Sequence, residues 1–570
     1  MKQKFDENAK GMFSRNFFKY KRFVIEGVLA TLAINFLALA TSLFSMQVYD
    51  RVIPTHGLST LFTLSLGVFL MIIFEFALKL SRSSLMDNMT LGLDNTYARS
   101  IYKRLMTVRL NKLPTSIGSL SSQLKSYETI RGFLTSSTIF LLIDTPFVIF
   151  YLFILSFIGS PWIAITSFVF FLFALIVGFW LKYKVKKLAN EGAKYSNIKI
   201  GELVETIQGI EIIKSGRGEN KFLSRWMQTS KYAAINDLAM KHTSENANYI
   251  AALLQQLGYA SIVIVGAFLV VDGEMTMGAL IACSIISGRI MAPVASLPGL
   301  FSQMAHSKAA LEGIEQMYAL DVDNKGFSEP MKPEKIFGAY KIKEAEYIYN
   351  NTIKALSIND LEIKAGEKVA IIGAIGSGKS TLLRLLTGLY GVEKGNVYLD
   401  NIDIASIERG VLSSNIGYMP QDNRLFQGTI RENLVIGNRE LSEDILREAC
   451  EKTGLMNILN FHQKGFELPI FEGGVGLSTG QRQLVAITRL ILTNPNIWLL
   501  DEPTASMDGK IENDVLNILK GAIKPSDTLI VVTHKPTILS MVDRIIVMNN
   551  GEVYLDGKTN EVLSRLNQSN

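Results

Sequence analysis

Before about residue 305 the apolar residues crowd into six runs, and runs of that length leave this half of the chain little choice but helices that cross a bilayer. They cover residues 23–46, 58–78, 137–158, 162–181, 248–271 and 277–297. A helix rising 1.5 Å per residue needs about 20 residues to cross a hydrocarbon layer about 30 Å thick, and each run supplies roughly that number. The first run is too long for a signal-peptide core and continues into QVYDRVIP at 47–54 instead of a small-residue cleavage site, so it reads as a retained span. A chain of 570 residues exceeds one ordinary core, and at least two domains are expected. The 48% hydrophobic content and mean hydropathy of +0.23 come from this first half.

Basic residues set the orientation. Residues 79–132 carry Arg82, Arg99, Lys103, Arg104, Arg109, Lys112, Lys125 and Arg131, and residues 182–247 are richer still, whereas the short turns after the third and fifth runs have no Lys or Arg. By the positive-inside rule the N-terminal segment 1–22, both long basic segments and everything after the sixth run are cytoplasmic, with the lipid bilayer as a partner. Helical spacing of apolar residues, as over 201–213, reads the basic segments as amphipathic helices continuous with the spans. A net charge of +6 spread this way leaves no nucleic-acid footprint. Two cysteines exclude a disulfide framework, and Cys450 reads as a packed residue before a reactive thiol. Of the acidic and basic residues in or near the runs, Glu26 and Glu75 lie toward span ends and read as snorkelling. Asp144 and Arg289 divide evenly between a plain structural place and an internal role lining or bracing a path through the membrane.

After a polar linker over 318–336, residues 337–570 change character. GAIGSGKS at 373–380 follows the apolar strand EKVAII and precedes a helix start, the required setting of a GxxxxGK[S/T] phosphate loop. Gly373, Gly376 and Gly378 let the backbone wrap a triphosphate. Ser377 lies in the cradle, Lys379 adds a full charge, Ser380 is placed to ligate Mg²⁺, and Thr381 opens the helix whose N-terminus favours anions. The chain therefore binds a nucleotide, with ATP and Mg²⁺ expected. Tyr349, on the first strand of this domain, is positioned for stacking on adenine, although a strand tyrosine is more often packing. Gln421 in YMPQ is a flexible amide able to reach metal and water. IWLLDE at 497–502 is a buried strand delivering carboxylates at its C-terminal edge, where open α/β sheets bind ligands. Asp501 suits the Mg²⁺ sphere and Glu502 suits a general base for the attacking water. His534, after the strand LIVVT, is placed to touch the γ-phosphate.

LSTGQ at 477–481, followed by Arg482 and Gln483, resembles the signature motif of ATP-binding cassette proteins, and with the phosphate loop, Gln421, Asp501, Glu502, ASMD at 505–508 and His534 the resemblance covers the whole of 339–570. It implies an α/β P-loop nucleotide-binding domain after an all-α six-helix transmembrane domain over 23–317. It also implies that Ser478, Gly480, Gln481 and Asp508 complete the nucleotide site of a second subunit, identical or not. One copy of each motif makes a half-transporter that must dimerise. Thr479 stands where the motif has glycine, and Leu484 where arginine is usual. The membrane half resembles type I secretion ATPases of Gram-negative bacteria through QVYDRVIP, IGSL at 117–120, ETIRGFL at 128–134, IDTPF at 143–147 and GRIMAP at 288–293. That implies an inner-membrane exporter of an unfolded polypeptide working with a periplasmic adaptor and an outer-membrane channel. A peptidase domain ahead of the first span is not expected in the 22 residues before it. Two readings compete: a lipid or drug exporter of the same architecture, and a mainly regulatory half of a heterodimer.

Overall fold

The computed structural model describes residues 8–135, 138–327, 329–349, 352–437, 441–462, 464–505, 507 and 509–568, with the backbone alone at 138–145, 181, 294, 295 and 298. The chain divides into two compact units: Met1–Met106 with Pro114–Leu320, and Thr107–Leu113 with Asp321–Asn570.

The first unit is helical. α1 (Ala9–Phe18) is capped by Asn8, whose side chain accepts from the Gly11 amide at 2.7 Å. Its Ala9, Met12 and Phe13 are buried against Tyr97, with the Phe13 and Tyr97 rings 4.6 Å apart. The basic residues of this segment had hidden an i, i+3, i+4 apolar spacing. α2 (Lys21–Leu37) and α3 (Leu39–Gln47) follow, and the helix widens to π geometry over Val48–Val52. Next come α4 (Leu58–Thr107), α5 (Thr138–Ile158), α6 (Pro161–Gln208), α7 (Glu219–Val271) and α8 (Met277–Tyr318). Among the described residues four helical stretches are long and apolar enough to cross a membrane: Lys21–Thr55, Leu58–Thr107, Pro161–Gln208 and Glu219–Val271. The third and sixth runs contain the shorter apolar stretches Pro146–Ile158 and Met277–Pro293. The amphipathic stretch near 201–213 is broken at Gly209, where α6 ends and a short helix, Ile210–Ser215, begins. Leu155, Ile163, Ile262, Ile286 and Ile290 form the centre of the packed core, while α4 and α6 present rows of large apolar residues outward.

The second unit is α/β. Its strands are β1 (Tyr340–Tyr349), β2 (Ile353–Ile363), β3 (Lys368–Gly373), β4 (Lys394–Leu399), β5 (Ile402–Asp403), β6 (Ile416–Met419), β7 (Gly428–Thr429), β8 (Pro469–Ile470), β9 (Ile497–Asp501), β10 (Thr528–Val532), β11 (Arg544–Asn549) and β12 (Glu552–Lys558). An antiparallel sheet runs β2-β1-β4-β5, and a six-stranded sheet runs β12-β11-β3-β10-β9-β6, in which the pairs from β11 to β6 are parallel. β9 and β10 are buried along their whole length, as short continuous apolar strands flanked by helices should be. Parallel pairing of Val532 with Asp501 and Ile371, and of Met419 with Leu500, aligns the C-terminal ends of β3, β10, β9 and β6. Cys450 is fully buried in this unit, and burial pushes its thiol up to about 12, which leaves it a packed residue.

Candidate functional site

The aligned strand ends bring the expected nucleotide residues to one edge of the sheet. β3 enters the phosphate loop and leaves it into α9 (Lys379–Leu386). Gly373 has φ 150°, and a Cβ there would stand 2.2 Å from the Met548 carbonyl oxygen; Gly378 has φ 96°, and a Cβ there would stand 2.6 Å from that of Ala355. Only glycine fits either place. The Lys379 ammonium donates to the carbonyls of Gly373 and Ala374 at 2.8 and 2.9 Å, so the lysine lies along its own loop. Burial lowers its pKa, against the pull of Glu502 and Asp501. The hydroxyl oxygen of Ser377 is buried without a hydrogen-bond partner among the described residues. An orphaned hydroxyl beside a lysine held by carbonyls, on a loop whose glycines bring backbone amides forward, fits an anionic phosphate group.

Asp501 is 2% exposed at the end of β9, and burial raises its pKa before a hydrogen bond from Ser380 lowers it. A buried carboxylate joined to a hydroxyl is a donor set suited to Mg²⁺. Glu502 follows with φ 49°, a left-handed backbone unusual for a residue with a Cβ. Its amide donates to the Val532 carbonyl at 2.9 Å, which holds the turn against that strain. Glu502 Oε1 lies 3.6 Å from Nε2 of His534, so β9 and β10 place the expected base and histidine together. Gln421 is exposed just past β6 and makes no hydrogen bond among the described residues.

Three expected residues, Tyr349, Ser478 and Gln481, already have partners within this chain. The Tyr349 hydroxyl is 3.2 Å from that of Thr381, and its ring meets Tyr347 edge-on at 4.9 Å, so it belongs to an aromatic cluster that also includes Tyr390. Ser478 caps α10 (Thr479–Thr493) in a reciprocal box: its hydroxyl accepts from the Gln481 amide at 3.2 Å, and the Gln481 side chain accepts from the Ser478 amide at 2.8 Å. The Thr479 hydroxyl accepts from Arg482 at 3.2 Å. Among the described residues no hydrogen bond joins Ser478, Thr479, Gly480 or Gln481 to the phosphate loop of the same chain. Asp508 lies outside the described residues, as does the side chain of Asp144.

The sequence reading missed a buried network under this edge. Glu512, on α11 (Gly509–Ala522), accepts from Lys535 at 2.7 Å and from the Thr537 hydroxyl at 2.5 Å, while Lys535 also donates to the Thr504 carbonyl at 2.8 Å. Lys535 follows His534 and Thr504 lies two residues past Glu502, so one carboxylate ties the two strand-end turns together. The signal available was a lysine beside the strand-end histidine, which single residues do not reveal.

In the membrane unit, Arg22 pairs with Glu26 at 2.7 Å and Lys79 with Glu75 at 2.6 Å, each one helical turn apart. Arg289 is half-buried and makes no hydrogen bond or ion pair among the described residues. Next to it, Ala252, Gln255, Gln256 and Tyr259 of α7 and Ser287 and Gly288 of α8 line a cavity of about 370 Å³. The α7 members fall at i, i+3, i+4 and i+7, and Gln255, Gln256 and Tyr259 make that stripe polar within an apolar run. Sequence reading passed over it because amides carry no charge to attract notice.

The model of the ABC transporter family matches residues 356–505, and that of the ABC transporter transmembrane region matches 24–294. The chain is 28% identical over 557 residues to the alpha-hemolysin translocation ATP-binding protein HlyB of Escherichia coli O157:H7, covering 96% of this chain and 77% of that protein. It is 28% identical over 566 residues to the leukotoxin translocation ATP-binding protein LktB of a Pasteurella haemolytica-like strain, with the same coverage. The cyclolysin secretion/processing ATP-binding protein CyaB of Bordetella pertussis is 27% identical over 541 residues, covering 94% of this chain and 75% of that one. The fold matches a bacterial Atm1-family ABC exporter structure with ATP bound, with a TM-score of 0.86 over 96% of both chains at 20% identity. The two family models fall one on each of the two compact units, and the chain belongs to the ATP-binding cassette exporters: it is a half-transporter and an ATPase, multi-pass in the membrane, with a transmembrane region followed by an ATP-binding domain.

Proposed function

We propose that this chain is the ABC component of a type I secretion system, using ATP to move an unfolded polypeptide out of the cytoplasm across a bacterial inner membrane. The observation that carries this reading is the collinear likeness to hemolysin, leukotoxin and cyclolysin translocation proteins, which runs through the membrane region as well as the motif-rich ATP domain. In this reading the N-terminus, the long basic segments and the ATP domain are cytoplasmic, and a periplasmic adaptor and outer-membrane channel receive the cargo.

Two copies, identical or not, sandwich ATP. Gly373, Gly376, Ser377, Gly378, Lys379 and Thr381 hold the phosphates, and Tyr349 borders the adenine. Ser478, Gly480, Gln481 and Asp508 close the site from the partner subunit. Ser380, Gln421 and Asp501 would hold Mg²⁺, which neutralises phosphate charge when bound. Glu502 accepts a proton from the attacking water at its carboxylate, and His534, at 3.6 Å, keeps that carboxylate and the water in register. ATP binding favours the closed pair and hydrolysis releases it, so the membrane helices alternate between two arrangements.

The test is Glu502→Gln in a secretion-competent strain. A catalytic half should trap ATP and stop export, whereas continued export would favour a regulatory half. In purified protein, ATPase activity that rises with an unfolded polypeptide supports the proposal, and activity that rises only with amphiphiles replaces it with the lipid or drug exporter.

A further inference from the structure

The outward face of α6 carries a sharp boundary between large apolar and basic residues. Val169, Phe173, Ile176, Trp180 and Tyr183 follow one another at steps of three and four residues, and all are exposed, from 41% at Val169 to 81% at Tyr183. The same stripe then changes to Lys184 and Lys187, with Lys182 and Lys186 alongside, and all four are exposed. The opposite side stays packed at Val185 and Ala189. From Pro161 to Trp180 the helix spans about 30 Å, the thickness of a hydrocarbon layer. Trp180 and Tyr183 therefore fall where aromatic side chains sit at a membrane–water interface, and the lysines fall at headgroup depth.

Four lysines within six residues stand here, and no carboxylate or hydrogen-bond acceptor among the described residues engages them. Lys79 is paired with Glu75, Arg22 with Glu26 and Lys241 with Glu245, and Arg82 donates to the Thr31 hydroxyl. Among the described residues Lys182 has only the Phe179 ring, and Lys184, Lys186 and Lys187 have no ion pair or hydrogen bond. A second copy seated on this face would bury the apolar stripe without calling for aromatic residues and then free cations one bilayer thickness along it.

We propose that Trp180, Tyr183, Lys184 and Lys187 form a binding site for anionic phospholipid, with acyl chains along the stripe and the phosphate and glycerol headgroup between the lysines. In the orientation proposed above, this is the cytoplasmic leaflet. The lysine stems follow the apolar surface while their ammonium groups reach the phosphate. Several cations this close to a surface draw acidic lipid from a mixed bilayer. The site ties α6 to the lipid composition and gives the ATPase a dependence on anionic lipid that its ATP-binding residues do not explain.

The experiment uses the full-length protein in nanodiscs of phosphatidylcholine mixed with phosphatidylglycerol, with the lipids retained after detergent extraction counted by native mass spectrometry. Wild type should retain phosphatidylglycerol over phosphatidylcholine. Lys184→Gln with Lys187→Gln should lower that retention about tenfold, and Lys184→Arg with Lys187→Arg should keep it, separating charge from folding. Equal retention by the glutamine variant, or no preference in wild type, overturns the site. Competition by inorganic phosphate would make it a soluble-anion site and also overturns it. A disulfide between two copies of a Trp180→Cys variant would show the face covered by a second subunit, and that outcome overturns the site as well. None of these readings uses cargo or membrane orientation, so failure of the secretion proposal leaves the lipid result standing on its own.

Discussion

The two units spend the same apolar residue types in opposite ways. In the ATP-binding unit, β9 and β10 bury every residue, and Trp498 inside β9 is 1% exposed. In the membrane unit, only 6% of the most apolar window of α4 is buried, with Phe62, Phe69 and Phe74 each more than 60% exposed. Length decides between these outcomes: a five-residue run ends in polar residues and is covered by helices on both faces, whereas a 20-residue run is long enough for lipid to cover it. The difference also places the chemistry. Where strands are buried, reactive groups gather at their ends; in the membrane unit, the polar groups of α7 line up along one partly exposed stripe. If that contrast is right, small changes at the strand ends should cost far more than changes of similar size on the stripe.

The largest effect belongs to Glu502. Glu502→Gln keeps shape and removes the carboxylate proposed as the base, so kcat for ATP hydrolysis should fall by about 10²–10⁴ while ATP binding persists. Phosphate release and equilibrium nucleotide binding, measured on the same preparation, check both halves. A kcat within tenfold of wild type would move the chemistry away from the end of β9.

Next comes the network below that edge. Lys535→Met leaves the Glu512 carboxylate, 9% exposed, with only hydroxyl donors. The ATP-binding unit should lose about 1–3 kcal/mol of stability, and kcat should fall more than ATP affinity because His534 is the next residue. Calorimetry and ATPase titrations follow the two effects, and Lys535→Arg should restore most of both. An unchanged melting temperature would show that the strand-end turns hold without this tie.

The same carboxylate sets a pH dependence. Burial alone would raise the Glu512 pKa, but donors led by Lys535 and then Thr537 outweigh it and hold the group below the ordinary range. A lowered folded value means the contribution is fully present above the unfolded carboxylate pKa of about 4.3 and is lost as pH falls through the folded value. The gap in melting temperature between wild type and Glu512→Gln should therefore hold constant from neutral pH and close only below about pH 4.3. A gap already closing near neutrality would mean that another group carries it.

Much of the ATP-binding edge was readable in the chain because strand ends announce themselves. An apolar run stopping at Asp501 and Glu502, or at Thr533 and His534, fixes both the element and the place where its polar residue emerges. What the run cannot state is which strands become neighbours. The β3-β10-β9-β6 order comes from packing, and with it the approach of His534 to Glu502 and the tie through Glu512. α1 escaped notice for a different reason: Lys10 and Arg15 within it and Lys19 at its end drew the reading to charge, and the three-residue step from Ala9 to Met12 is too short a pattern to stand against them. The α7 stripe was hidden by its neutrality, and its polar residues lower the hydropathy of the run without ending it.

That stripe supplies the test on the other side of the contrast. Gln255→Leu with Gln256→Leu removes two amides that make no hydrogen bond among the described residues. With no partner left unsatisfied, melting temperature and unstimulated ATPase should change little, whereas stimulation by an unfolded polypeptide should fall several-fold. A large loss of stability would show the amides to be structural, and the two units would then differ less than their burial suggests.

The smallest expected effect is at Thr479, where the signature departs from glycine. Thr479 is the first residue of α10, and the capping box at Ser478 and Gln481 is complete with threonine between them. Its hydroxyl accepts from Arg482 at 3.2 Å on an exposed face, a contact of modest value. Thr479→Gly adds backbone freedom at a helix start and removes that one acceptor, for a cost of about 0.5–1 kcal/mol. Even if the whole of that difference fell on the activation barrier it would change kcat only about fivefold, so kcat should stay within that range. The comparison that matters is with Ser478→Ala, which opens the capping box and removes the hydroxyl expected to meet the partner's phosphate, and which should cost at least tenfold more activity than the glycine variant. If Thr479→Gly instead raised hydrolysis by a hundredfold, the threonine would be a brake on the second subunit's site, and the chain would be the regulatory half of an unequal pair.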